Sequence, residues 1–292
     1  VAGGVWRMND VLDFVSNNQW PSTPKDIENS TRFDDGSSDY LSRTPGSAGN
    51  RKTFTFSGWV KRGVLGDKII FAAGSDSNVN GYVAIYFSGE AIRVRIYESS
   101  SKDVVTSALF RDTAAWYHLV VAVDTTQSTD SNRVKIYVNG SEADKASGSY
   151  ASQDFETSVN NTVIQQVGVG RDSSANLSNY FDGYMAEVVL IDGQALDATP
   201  FGEFDSTTGI WKPRKIGAQF GSGGAGTNGF YLDFKDSSNL GNDASGLNND
   251  FTVNNLTSID QSTDTCVENF ATLNPLGVTA QTPTFSEGNT KF

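Results

Sequence analysis

Apolar and polar positions are most telling in residues 180–196, Y-F-D-G-Y-M-A-E-V-V-L-I-D-G-Q-A-L. Asp182-Gly183 and Asp192-Gly193 are turn signals, because glycine accepts the positive φ of a tight turn. The β-branched and aromatic residues between them predict a strand. Side chains alternate across a strand, which puts Tyr184, Ala186, Val188 and Leu190 on one face and Met185, Glu187, Val189 and Ile191 on the other. Both faces are largely apolar, so the pattern predicts a central strand covered on both sides.

Similar patterning recurs upstream. Val83, Ile85 and Phe87 alternate with Tyr82, Ala84 and Tyr86 before the turn Ser88-Gly89-Glu90. Ile92, Val94 and Ile96 then face inward and Arg93 and Arg95 outward, predicting a hairpin with a wet outer face. Asn139-Gly140 favours a tight hairpin turn, since both residues tolerate left-handed φ. Regular strands separated by such turns predict an antiparallel sandwich rather than βαβ units. Residues 229–234, G-F-Y-L-D-F, add a late strand. Met8, Val11, Leu12, Phe14 and Val15 have helical spacing and predict a short amino-terminal helix ending at Trp20-Pro21. A helix this short is marginal by itself. Residues 1–30 are therefore expected to dock on another subunit or module, or on the chain's own sandwich.

Composition narrows the class. The 292 residues suffice for one large sandwich or two modules, and 29 glycines with few charges suit many turns and little helix. A net charge of −12 argues against a nucleic-acid partner, which needs clustered Lys and Arg. The acidity fits an extracellular or particle-surface protein, cation binding, or simply a soluble surface. Cys266 is the sole cysteine, which excludes an intramolecular disulfide and a cysteine-based metal site. No run of 18 apolar residues occurs, so no membrane insertion is expected. The first ten residues lack the basic start and apolar core of a secretory signal. Exposure outside cells would then follow processing, or lysis releasing a virus particle.

Candidate chemistry is sparse. His118, the one histidine, lies between Tyr117 and Leu119 in a predicted strand and is expected to be a satisfied core residue. Cys266 sits in a polar segment without a neighbouring histidine and is expected to be a bystander thiol. Calcium takes six to eight oxygen ligands, which loops 172–179 and 236–250 could supply, with Asp172, Asp236, Asp243 and Asp250 as candidates. Neither loop has EF-hand spacing, and Asp and Asn are also ordinary turn formers; both readings stand.

Several segments together resemble a known family. F-D-G-Y-M-A-E-V with Gln194-Ala195-Leu196 is similar to the closing strand of laminin-G-like and pentraxin-like jelly rolls, within the concanavalin A-like lectin/glucanase superfamily. Residues 32–41 resemble its opening strand, and T-F-T-F-S-G-W-V-K at 53–61 its second. W-Y-H-L-V-V-A at 116–122 and V-K-I-Y-V-N-G at 134–140 complete the likeness, which spans about residues 31–200. It implies an all-β, concanavalin A-like antiparallel β-sandwich (jelly roll) over residues 31–262, followed by an extended segment at 263–292. Residues 50–63, 229–250, 269–276 and the amino-terminal G-G-V-W…Q-W-P look, in combination, like the modules of tailed-bacteriophage tail fibres and related appendages.

That resemblance implies a non-enzymatic virion surface protein that attaches to a cell-surface glycan. Implied partners are other virion proteins and further copies of the chain, a trimer first. A free lectin is the alternative, and a glycan hydrolase the second. The hydrolase reading is rejected because no segment carries the superfamily's alternating Glu-x-Asp-x-(x)-Glu; Val189 and Ile191 follow Glu187 on its predicted face. A glycan site needs an exposed aromatic flanked by amides and carboxylates. Tyr150 and Phe155, beside Gln153 and Asp154, and Tyr180 beside Asn176 and Asn179 fit that description.

Overall fold

The computed structural model describes residues 27–214, 216 and 224–269. The predicted amino-terminal helix, the glycine-rich stretch 221–223 and residues 270–292 lie outside them. The described strands are β1 (Ser30–Phe33), β2 (Tyr40–Arg43), β3 (Thr53–Arg62), β4 (Lys68–Ala73), β5 (Val83–Ser88), β6 (Ala91–Glu98) and β7 (Ser100–Thr106). They continue with β8 (Tyr117–Asp124), β9 (Val134–Val138), β10 (Ser141–Glu142), β11 (Lys145–Gly148), β12 (Gln165–Val167), β13 (Gly170–Arg171) and β14 (Leu177–Ser178). The last are β15 (Gly183–Asp192), β16 (Gly202–Phe204), β17 (Trp211–Pro213), β18 (Phe230–Leu232), β19 (Thr252–Asn254) and β20 (Gln261–Ser262).

Two eight-stranded sheets form the sandwich. The first runs β10-β9-β8-β3-β15-β1-β20 with β18 also on β15, the second β11-β7-β6-β5-β4-β12-β2-β19. The predicted opening strand is thus two strands: the turn at Asp34–Asp39 carries the chain from the first sheet (β1) to the second (β2). The core between the sheets takes alternate residues, for example Phe54 and Phe56 of β3, Leu119 and Val121 of β8, and Phe71 of β4. Asn139 (φ 47) and Gly140 (φ 84) form the predicted tight turn between β9 and β10.

β15 is the fully buried central strand that its composition predicts, but its facing differs. Glu187 takes φ 52, and the pairing with β3 slips between Ala186 and Val189. This β-bulge inserts one residue and reverses the alternation beyond it. Met185, Val188 and Leu190 therefore face the core, whereas Tyr184, Ala186, Val189 and Ile191 face outward. The bulge also marks a change of neighbour: β1 pairs with residues 183–185 and β18 with residues 188–190 on the same edge. Gly183 is needed where β15 starts, since at φ 141 a Cβ would lie 2.1 Å from the Lys61 carbonyl oxygen.

Both sheets also carry apolar residues on their outer faces. On the first, Trp59, Val120 and Ile191 are covered by Ala198, Phe201 and Trp211. On the second, the expected wet surface is instead an apolar patch of Ile69, Ala72, Tyr82, Ala84 and Tyr86. Half-buried Arg93 and Arg95 bring their guanidinium carbons to 5.8 Å from the Tyr86 ring centroid, so long polar side chains roof the patch.

Chain segments outside the expected sandwich limits also belong to it. Ile27 is buried in the outer cluster, and the Thr265 hydroxyl donates to its carbonyl. Asp264 forms a buried ion pair of 2.6 Å with Lys61. Cys266 packs against the same cluster instead of lying in a linker, and burial pushes its thiol up.

Candidate functional site

The outer face of the first sheet is organised around His118. It is 1% exposed, and the Trp211 indole donates to its Nδ1 over 3.1 Å. An indole nitrogen can donate but not accept, which leaves Nε2 to donate to the Ser57 hydroxyl at 3.0 Å. Burial pushes the imidazole down to about 3, so it is neutral and structural, as its strand position predicts. Gly140 admits Trp211 to this place, because a Cβ there would stand 2.2 Å from the indole. Glu187 is structural too: Tyr231 donates its hydroxyl to the carboxylate over 2.6 Å.

Along β8 and β9, on one side of this centre, opens a cleft of about 400 Å³. Its polar walls are Asp124, Gln127, Asn132, Lys135, Tyr137 and Asp197. Val120 pairs with Tyr137 and Ala122 with Lys135, so strand register sets the half-buried Tyr137 ring and the Lys135 stem side by side. Asp124 is committed to the protein. It accepts from Thr126, Gln127 and Thr53, and these bonds outweigh burial and hold it below the usual carboxylate range. Asp197 uses Oδ1 to cap Thr199. Its Oδ2, the Asn132 amide and the Tyr137 hydroxyl have no hydrogen-bond partner among the described residues. A ring face bordered by spare donors and acceptors can hold a polyhydroxylated ligand.

The sequence-predicted residues fall elsewhere. Tyr150 and Phe155 are half-buried and pack against the core between the sheets, and Lys145 sits 5.8 Å from the Tyr150 ring centroid. Tyr180 meets Tyr40 edge-on at 6.1 Å beside the exposed Asn176 and Asn179. The two groups do not share a pocket: one lies by β7 and β11, the other beside β4, where the Asn179 carbonyl accepts from Ile69. All three expected aromatics are half-buried and each is packed on one side. The cleft was missed because Tyr137 lies in a regular strand, and Asp197 reaches it from 60 residues further along the chain.

The four calcium candidates behave as turn formers. Asp172 accepts the backbone N–H groups of Ser174 and Asn176, and Asp236 that of Ser238. Asp243 fills both oxygens with donors from Tyr231, Ser245 and Asn249, while Asp250 accepts from the Asp243 N–H. Asp34, Asp35 and Asp182 instead bring carboxylate oxygens within 4.8 Å of one another. Protein cations already serve two of them: Arg32 pairs with Asp34 at 3.0 Å and Lys68 with Asp35. Lys68 holds Asp35 low, whereas burial and the Asp35 charge lift Asp182 to about 6.

The profile of the concanavalin A-like lectin/glucanases superfamily matches residues 35–199. No curated protein matches the chain. Among solved structures, a heptameric SAP-like pentraxin from Limulus polyphemus is 13% identical with a TM-score of 0.44, over 59% of this chain and 79% of that one. Domains LG4-5 of the mouse laminin alpha1 chain are 13% identical with a TM-score of 0.42, over 57% and 43%. The enzymatically active domain of bacteriophage CBA120 tailspike protein 2 is 12% identical with a TM-score of 0.41, over 58% and 26%. The chain thus spans less than half of the latter two. The matched residues include both strands that build the cleft and most of the two large sheets. The chain belongs to the concanavalin A-like lectin/glucanase superfamily.

Proposed function

We propose that this chain is a non-enzymatic, carbohydrate-binding component of a tailed-phage surface appendage, and that it engages glycan in the cleft around Tyr137. The cleft carries the glycan reading: an aromatic face flanked by a carboxylate oxygen and a side-chain amide without partners among the described residues, and by the Lys135 ammonium, which also pairs with Glu142 at 3.4 Å. Sequence likeness in residues 50–63, 229–250 and 269–276 supports the appendage reading. Hydrolysis is disfavoured because no segment carries the alternating Glu-x-Asp-x-(x)-Glu of the superfamily's hydrolases.

The test is a glycan array probed with the intact chain and with Tyr137→Ala. The expected result is saccharide binding that weakens at least tenfold in the variant, with the melting temperature little changed. Equal binding by both proteins would move the site elsewhere, and release of reducing sugar would revive the hydrolase reading. Binding without association with any particle would favour a free lectin. Assembly as a homo-oligomer, a trimer first, belongs to the same proposal, held largely through residues 1–30 and 263–292. Deleting 1–26 spares Ile27 and β1, which deletion of 1–30 would cut. Light scattering should show the intact chain losing its assembly on this deletion; a monomeric intact chain at micromolar concentration refutes it.

A further inference from the structure

The cleft around Tyr137 has a sign of charge. Its charged walls are Asp124, Asp197 and Lys135, two carboxylates against one ammonium. Asp124 stays ionised, because donors from Thr126, Gln127 and Thr53 outweigh its burial. The ammonium of Lys135 is already balanced, since it pairs with Glu142 at 3.4 Å. What Lys135 adds to the wall is chiefly its apolar stem. Burial, followed by the charges of Glu142 and Asp197, pushes the Tyr137 phenol up. Both charges that act on this ring are therefore negative.

Asp197 supplies the open contact. Its Oδ1 caps Thr199, whereas Oδ2 meets no donor among the described residues, and the side chain is exposed to the cleft. A carboxylate holds an ammonium roughly twice as strongly as neutral partners hold each other. An aromatic face such as that of Tyr137 also attracts a cation. An acidic sugar would instead bring a like charge toward Asp124 and Asp197.

We propose that the cleft selects cationic amino sugars over neutral and acidic saccharides, with the sugar ammonium held by Asp197 Oδ2 beside the Tyr137 ring. This selectivity rests on the glycan reading of the cleft. It adds the charge of the ligand and the residue that recognises it. The acidity of the whole chain, −12, acts in the same direction by drawing cationic oligomers toward the surface.

The experiment titrates the full chain, Tyr137→Ala, Asp197→Asn and Glu142→Gln by calorimetry. The ligands are equal-length oligomers of glucosamine, of galactosamine, of their N-acetylated forms and of galacturonic acid, at about pH 6, where a sugar amine is protonated. One of the amine oligomers should bind at least about threefold tighter than its N-acetylated form, the size expected of a partly exposed ion pair. Galacturonic acid should bind weakest, and added salt should shrink the preference for the amine. Asp197→Asn should abolish that preference. Glu142→Gln frees the Lys135 ammonium and should narrow it, which gives the same reading if Asp197→Asn fails to fold. Equal affinity for amine and N-acetylated forms, still lost in Tyr137→Ala, overturns the selectivity and leaves the glycan cleft standing. So does a preference that survives Asp197→Asn, or tightest binding of galacturonic acid. Binding of no saccharide, or binding indifferent to Tyr137→Ala, overturns the cleft and the selectivity together.

Discussion

At the scale of single residues, His118 gives the clearest pH dependence. Its folded value of about 3 lies below the ordinary 6.5, so between these limits the unfolded chain binds a proton that the native chain refuses. The contribution is complete above pH 6.5 and is lost as pH falls toward 3. Its slope is up to about 1.4 kcal/mol per pH unit. Asp39 and Asp182 act with the opposite sign. Burial lifts each to about 6, so the stability they lend is complete below the ordinary 3.8 and is lost as pH rises through 6. The groups partly cancel between pH 4 and 6, and wild type alone would hide the histidine. His118→Gln should be less stable than wild type at pH 7, and the gap should narrow steadily toward pH 4 in chemical denaturation. A gap independent of pH would mean that the imidazole is not neutral in the fold.

At the scale of elements, β15 shows what the sequence reveals and where it stops. Its length, turn signals and burial on both faces follow from composition. The bulge at Glu187 does not, because nothing in M-A-E-V-V-L says which residue will be extra. That choice follows from pairing with β3 on one edge and the change from β1 to β18 on the other. Strand patterns likewise located the hairpins and the buried His118. They did not locate Trp211 over it, or Asp197 beside Tyr137, since both contacts depend on chain folding back from residues 195–213. The candidate site was therefore less legible than the fold. Gly183 offers a test of the strand's start. Gly183→Ala should cost about 1–3 kcal/mol or more, because the added methyl meets the β3 backbone and the φ is unfavourable. A melting temperature equal to wild type would show that β3 yields there.

At the scale of the whole molecule, the two ends of the described chain meet on the outer side of the first sheet. β1 pairs with β20, Ser30 donates its hydroxyl to the Asp264 carbonyl at 2.6 Å, and the Lys61–Asp264 pair lies beneath with side chains 5% and 0% exposed. These contacts join positions more than 200 residues apart, so they close the sandwich across nearly its full sequence. An ion pair this deeply buried adds little net stability, because each charge gives up hydration that the attraction merely repays. Removing one partner is different, since it withdraws the compensation and leaves the desolvation. Asp264→Ala is expected to cost about 3–5 kcal/mol, whereas Lys61→Met combined with Asp264→Leu should cost far less than the single change. Urea denaturation of the three proteins at one pH measures both differences. If the double variant is as unstable as Asp264→Ala, the closure depends on the apolar and backbone contacts around the pair rather than on balancing its charges.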